Sequence, residues 1–197
     1  MMFNKEYGLQ RAVLLGIKEL TRRDGTKVFL LFETGLDVRR DSNGRRETLE
    51  EYAIRKSPYK VGDVVAVAQS YRELIEEGHF SSDTDGWVPV ALCESGGYRN
   101  KMFVRADLMP HRIKITGVRF EQLKCISDEE CLKEGIYRRN DVIDSQMHDV
   151  ICYQYVGTPS VFKSPRDAFA SLIDKLSGKG TWERNPWVYV YSFKLVQ

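Results

Sequence analysis

Trp187–Val196 reads W-V-Y-V-Y-S-F-K-L-V, ten residues dominated by β-branched and aromatic side chains, and it predicts a strand. A strand of that length needs neighbours, because an open row of backbone N–H and C=O groups recruits other chains. Upstream segments must therefore supply a sheet that this run completes. Alternation places Trp187, Tyr189, Tyr191 and Phe193 on one face and Val188, Val190 and Ser192 on the other, with one face expected to be core. Trp182 and Trp187 fit core or rim packing, and also base stacking.

The candidate partners are spread along the chain. Arg112–Leu123 is the cleanest, with Ile113, Ile115, Val118 and Phe120 and a turn or bulge near Gly117. Val64–Ala68 follows the turn Tyr59-Lys60-Val61-Gly62-Asp63. Thr26–Glu33 (T-K-V-F-L-L-F-E) is expected as a strand buried on both sides at its centre. Tyr52–Ile54, Val88–Cys93 and Lys101–Arg105 are further expected strands. Residues 9–20 carry Leu9, Val13, Leu14 and Ile17 at helical spacing, and residues 73–77 suggest a charged helical turn. Ser127 and Glu130 have capping-box spacing for a helix that Gly135 stops. Ser164-Pro165 opens another that ends at Gly178. Residues 137–164 read as irregular. Asp41-Ser42-Asn43-Gly44 is a turn, flanked by Arg39-Arg40 and Arg45-Arg46, and reads as a hairpin tip or a solvated loop. The expected class is α+β: a mostly antiparallel β-barrel with helices packed outside.

At 197 residues, one domain spanning 1–197 with insertions at about 34–58, 72–100 and 137–163 is expected. Net charge is +2, too small to announce a nucleic-acid binder. Its distribution is uneven: net +4 over residues 1–62, −6 over 63–95 and +4 over 96–197, which directs the acidic middle away from any polyanion. Met1-Met2-Phe3-Asn4-Lys5-Glu6 turns polar at once and no apolar run nears the ~20 residues of a bilayer span. A cytoplasmic location and no membrane partner are expected. Cys93, Cys125, Cys131 and Cys152 form no C-x-x-C pair and read as small apolar fillers. The three histidines are far apart, and neither a metal nor a cofactor is expected.

The densest cluster of chemistry is Gly16-Ile17-Lys18-Glu19-Leu20-Thr21-Arg22-Arg23. A lysine beside a hydroxyl can serve as its base, and two arginines can hold an anion or carbonyl. The same residues also read as the end of a helix and the start of a strand. His111-Arg112, at a strand entrance, reads either as a surface turn or as a phosphate contact.

Five islands in order carry a resemblance. They are G-x-K-x-x-T-R-R (Gly16 to Arg23), K-x-G-D (Lys60 to Asp63) and Met109-Pro110 before R-I-x-I-T (Arg112 to Thr116). L-x-x-I-S-D-E-E-C-L-x-E-G-I (Leu123 to Ile136) and N-P-W-V-x-V-x-x-F (Asn185 to Phe193) complete the set. The chain resembles the ASCH domain family, in particular its phage- and prophage-borne bacterial branch. That resemblance implies a PUA-like barrel of five or six core strands, and RNA or a modified nucleoside as partner in a cleft beside the first helix. A branch of the family is similar to amidohydrolases that deacylate N4-acylated cytidine. Its pattern falls here on Lys18 as base, Thr21 as nucleophile and Glu134 as acid, with Arg22 or Arg23 to meet an oxyanion or a ribose phosphate. The chain departs from many relatives, which carry an acidic residue and a tryptophan where it has Gln69, without the charge, and Tyr71, still aromatic, a difference that bears on substrate choice. Gln69, Tyr71, His111 and Arg112 join Arg22 and Arg23 as expected binding residues. Three readings follow: a nucleotide- or RNA-binding protein, an amidohydrolase on an N4-acylated cytidine-like substrate, and a ribonuclease. The second requires Lys18, Thr21 and Glu134 to share one hollow.

Overall fold

The computed structural model describes residues 1–37, 39–79, 90–143 and 149–196. In chain order its elements are α1 (Leu9–Leu14), β1 (Leu20–Asp24), α2 (Thr26–Thr34), α3 (Leu49–Lys56), β2 (Val64–Ala66), α4 (Tyr71–Glu76) and α5 (Val90–Cys93). Then come β3 (Arg112–Gln122), α6 (Asp128–Lys133), β4 (Tyr137–Ile143), β5 (Asp149–Gln154), α7 (Pro165–Ser177), α8 (Thr181–Arg184) and β6 (Trp187–Val196). The terminal run is where pairing concentrates. β6 lies between β1 and β3, antiparallel to both, in a sheet of order β1-β6-β3-β2. The four strands curl into a half barrel, giving the expected α+β class with a partly closed antiparallel sheet. β4 and β5 form a separate hairpin. The β3–β6 register shifts between Ile115 and Gly117, the irregularity foreseen near Gly117.

Both faces of β6 are buried, not one. Tyr189, Tyr191 and Trp187 stack among Phe120, Phe29 and Tyr59. The Tyr189 hydroxyl donates to the Ala53 carbonyl of α3 (3.0 Å), and Tyr191 shares a hydrogen bond with Ser57 (2.8 Å). On the other side, Val188 and Ile173 of α7 line one cavity. A strand with paired edges and helices on both faces is apolar throughout, as W-V-Y-V-Y is.

Several expected strands are helices instead. Thr26–Glu33 is α2, which ends at Gly35 in the left-handed region (φ 66°). Its apolar residues serve a helix face: Phe29 stacks on Trp187 (centroids 5.3 Å) and Phe32 tilts against Tyr52 (5.4 Å). The edge of β6 is already taken by Leu20–Asp24, so a strand at 26–33 has no partner there. Tyr52–Ile54 lies inside α3, whose start is fixed by a capping box between Thr48 and Glu51. Lys101–Phe103 is a 3-10 turn and Val90–Cys93 a single helical turn, while residues 88–89 lie outside the described residues. The helix expected over 9–20 stops at Leu14. The span 137–164 is ordered in part as the β4–β5 hairpin, whose connection at 144–148 lies outside the described residues. Asp41–Gly44 does form a hairpin tip, bridged by Arg40 and Arg46. Cys131 and Cys152 are buried fillers, but Cys93 and Cys125 are exposed. No helix among the described residues is long and apolar enough to cross a membrane.

Candidate active site

Two local devices bring distant residues together. After α1, the chain turns through Gly16 (φ 69°), and the amides of Ile17 and Lys18 both donate to the Ala12 carbonyl (2.9 and 3.0 Å). Lys18 therefore sits in a tight turn ahead of β1, and Thr21 and Arg22 sit on β1 opposite Tyr191 and Val190. Glu19 N donates to Lys133 O (3.1 Å), tying this turn to the end of α6. α6 starts on the Ser127–Glu130 capping box and has Glu134 as its C-cap. Gly135 follows at φ 105°, and a Cβ there would come within 2.9 Å of Leu9 Cδ2. The positive φ favours glycine at that position, and the Leu9 methyl, at the end of a flexible side chain, would have to move aside for a larger residue.

The result is a buried ion cluster. Lys18 Nζ donates to Glu134 Oε2 (2.5 Å) and to the Glu134 carbonyl (2.7 Å). Arg22 Nη1 donates to Glu134 Oε1 (3.0 Å), and its Nη2 reaches Glu121 (3.0 Å) and Glu130 (2.7 Å). Arg119 in turn pairs with Glu130. The Lys18, Arg22 and Glu134 side chains are only 2, 1 and 6% exposed, so these charges are held by one another and not by water. Burial lowers the proton affinity of Lys18 below the ordinary lysine value. Glu134 opposes that shift without cancelling it, and Arg23 and Arg22 add to it. Burial also opposes the Arg22 charge, but Glu134, Glu130 and Glu121 together hold it firmly ionised.

Lys18, Thr21, Arg22, Arg23 and Glu134 line one cavity of ≈ 180 Å³, closed by Phe3 and Phe169 among others. Thr21 is buried, and among the described residues no side-chain hydrogen bond engages its hydroxyl. Arg22 Nε is a buried donor without an acceptor among the described residues. Arg23 donates to the Met2 carbonyl and lies over the Phe3 ring (5.5 Å), and no carboxylate pairs with it among the described residues. The arrangement thus combines an unengaged alcohol, a desolvated amine joined to a carboxyl, and guanidinium donors in one small hollow.

The other expected binding residues are elsewhere. Gln69 is fully buried and donates to Glu77 (2.7 Å), while its Oε1 has no donor among the described residues. Glu77 approaches His79 (3.6 Å), whose ring meets His111 edge to face (5.2 Å). Burial, then the His79 charge, lowers the His111 pKa. The Tyr71 hydroxyl accepts from Arg105 N (2.9 Å), and Arg112 opens β3 opposite Ala66 and Val196. None of these four lines the Lys18 cavity. Glu121 and Arg119 were not singled out in the sequence, although their i, i+2 spacing on β3 places both on one face. Glu130 was read only as a cap, and it also binds Arg22 and Arg119. Among the described residues no group of three or more His, Cys, Asp or Glu is arranged to hold a metal ion.

Compared with known proteins, the chain matches no family model, no curated protein and no solved structure.

Proposed function

We propose that the protein is an ASCH-like amidohydrolase that removes an acyl group from an N4-acylated cytidine-like nucleoside. The single observation that carries this reading is the convergence of Lys18, Thr21 and Glu134 on one cavity. A surface Glu134 would have ended the enzymatic reading; instead its carboxylate holds the lysine.

The chemistry follows from the pair. The resting state is the ammonium–carboxylate pair, and the reaction starts from its proton-transfer tautomer, in which the proton of the 2.5 Å Lys18–Glu134 hydrogen bond lies on the carboxyl. That tautomer is a base and an acid at once. Thr21 Oγ attacks the amide carbonyl and its proton passes to Lys18 Nζ. The carbon–nitrogen bond then breaks, and Glu134 protonates the departing N4 amine. An acyl ester on Thr21 remains, with the pair now ammonium and carboxylate. Water attacks the ester and gives its proton to Glu134, while Lys18 returns a proton to Thr21. The neutral pair is restored and a carboxylic acid is released. Arg22 and Arg23, which line the same cavity, supply the guanidinium donors for the oxyanion in both halves. At ≈ 180 Å³ the cavity falls below the usual ~300–1,000 Å³ of small-molecule sites, so it takes the acyl group and part of the base, not a whole nucleoside.

The test is cytidine release from N4-acetylcytidine. Wild-type release that Thr21→Ala and Lys18→Ala both abolish, with an acetyl group found on Thr21 by mass spectrometry after rapid quenching, supports the reading. No release at high enzyme concentration rejects it. The second reading, nucleotide or RNA binding without chemistry, is favoured by one observation: Arg23 faces the cavity without a carboxylate partner among the described residues. It predicts cytidine nucleotide binding with no turnover.

A further inference from the structure

The hollow beside the active cavity differs from it in chemistry. It has a volume of ≈ 300 Å³ and shares Arg22, Arg23, Ile173 and Ser177 with the active cavity, so the two adjoin across one wall. Arg184, Thr181 and Thr26 also line it. Arg22 is neutralised by three carboxylates, whereas Arg23 and Arg184 have no carboxylate at ion-pair distance among the described residues, Glu134 and Asp174 acting on them only from further away. Arg184 is oriented by neutral groups alone: Nη2 donates to Thr181 Oγ1 (2.8 Å) and Nη1 to the Lys179 carbonyl (3.2 Å). The Ser177 hydroxyl has no side-chain hydrogen bond among the described residues. One carboxylate, Asp24, lies on the same wall, and its Oδ1 is occupied by the amide (3.0 Å) and hydroxyl (2.6 Å) of Thr26. Two guanidiniums outside any ion pair among the described residues, with the Ser177 hydroxyl lining the same hollow, suit the oxygens of a phosphate monoester, which takes several donors at once.

We propose that this hollow is a phosphate subsite, and that the substrate is an N4-acylated cytidine monophosphate, not the free nucleoside. The proposal rests on the amidohydrolase reading for the acyl end and adds the identity of the other end. The acyl group and base enter the small cavity, and the phosphate lies past Arg23 against Arg184. A wider basin of ≈ 630 Å³ also adjoins the active cavity through Met2, Phe3, Asn4 and Arg23. Its lysines Lys5 and Lys101 both converge on Glu73 (3.4 and 3.3 Å), which leaves Arg99 as its remaining cation besides Arg23. Both hollows thus keep two guanidiniums outside ion pairs, but only the one with Arg184 adds a free hydroxyl, that of Ser177, and its smaller volume encloses a phosphate more closely.

The experiment compares N4-acetylcytidine with its 5′-monophosphate on the full chain, together with calorimetric binding of cytidine and cytidine monophosphate. The expected result is a kcat/KM at least tenfold higher for the monophosphate, carried mainly by KM. Arg184→Ala is expected to collapse that ratio, Arg184→Lys to restore part of it, and Arg99→Ala to leave the ratio in place. Equal kcat/KM for both substrates overturns the subsite while leaving the hydrolase reading intact. So does a ratio that Arg99→Ala collapses and Arg184→Ala does not. If neither substrate turns over, but cytidine monophosphate binds tenfold tighter than cytidine and Arg184→Ala removes the difference, the hydrolase reading fails and the subsite stands. Equal binding of the two in that case overturns the subsite as well.

Discussion

Lys18 and Glu134 show how much one buried pair decides. Each would be costly alone, and the two are joined at 2.5 Å away from solvent. Glu134 also holds Arg22, which keeps Glu121 and Glu130, so removing Glu134 strands the Lys18 cation, whereas removing Lys18 leaves the carboxylate with a guanidinium. Glu134→Gln is therefore expected to destabilise the fold by about 3–5 kcal/mol and Lys18→Met by less. Urea unfolding of both variants checks the order, and a larger loss for Lys18→Met would contradict it. The proton that Lys18 and Glu134 share also sets the pH profile of the proposed reaction. Burial lowers the proton affinity of Lys18, so kcat/KM is expected to fall on the alkaline side below the ordinary lysine value of 10.5. A flat profile through alkaline pH would sink the shared-proton mechanism. Lys18 and Thr21 were legible as candidates from their spacing. The involvement of Glu134 came only through resemblance, because no local rule links residue 134 to residue 18.

Among the elements, α6 carries the carboxyl and Gly135 ends it. Gly135→Ala forces a side chain into φ 105° and against Leu9 Cδ2, next to the Glu134 cap, at a cost of about 1–3 kcal/mol. Gly178 has a similar φ of 97° but nothing within 4 Å of its would-be Cβ. Gly178→Ala is expected to cost less stability than Gly135→Ala and to spare hydrolysis, and thermal unfolding with an activity assay separates the two. Elements marked by caps or long β runs were readable: the Ser127 and Ser164 starts, β3 and β6 all lie where their residues point. Thr26–Glu33 and Tyr52–Ile54 were not, since short apolar runs pack equally well as strand or helix. The capping box at Thr48 and Glu51 was the available signal for α3.

For the whole molecule, the ion cluster is a tie among three elements. Arg22 belongs to β1, Glu121 to β3 and Glu130 to α6, and their bonds join the edge strand, the sheet and the helix. Burial opposes the Glu130 charge, yet Arg119 and Arg22 hold its carboxyl below the ordinary 4.5. A depressed carboxyl stabilises the fold above its unfolded value and loses that stabilisation as pH falls through its folded value. Stability is therefore expected to decline as pH drops below about 4.5, and Glu130→Gln to start lower and decline less steeply, as measured by urea midpoints across that range. An unchanged acid slope in Glu130→Gln would remove Glu130 from this role. The terminal β run by itself demanded a sheet with partners on both edges, because its composition tolerates neither water nor an open ladder. Capping residues and glycines likewise set helix ends locally. Which segment took the free edge, which apolar run became a helix, and which carboxylates met Lys18 and Arg22 were decided only by the tertiary structure. Those outcomes depend on long-range competition for one strand edge and one buried volume, and neither is encoded in any short stretch of residues.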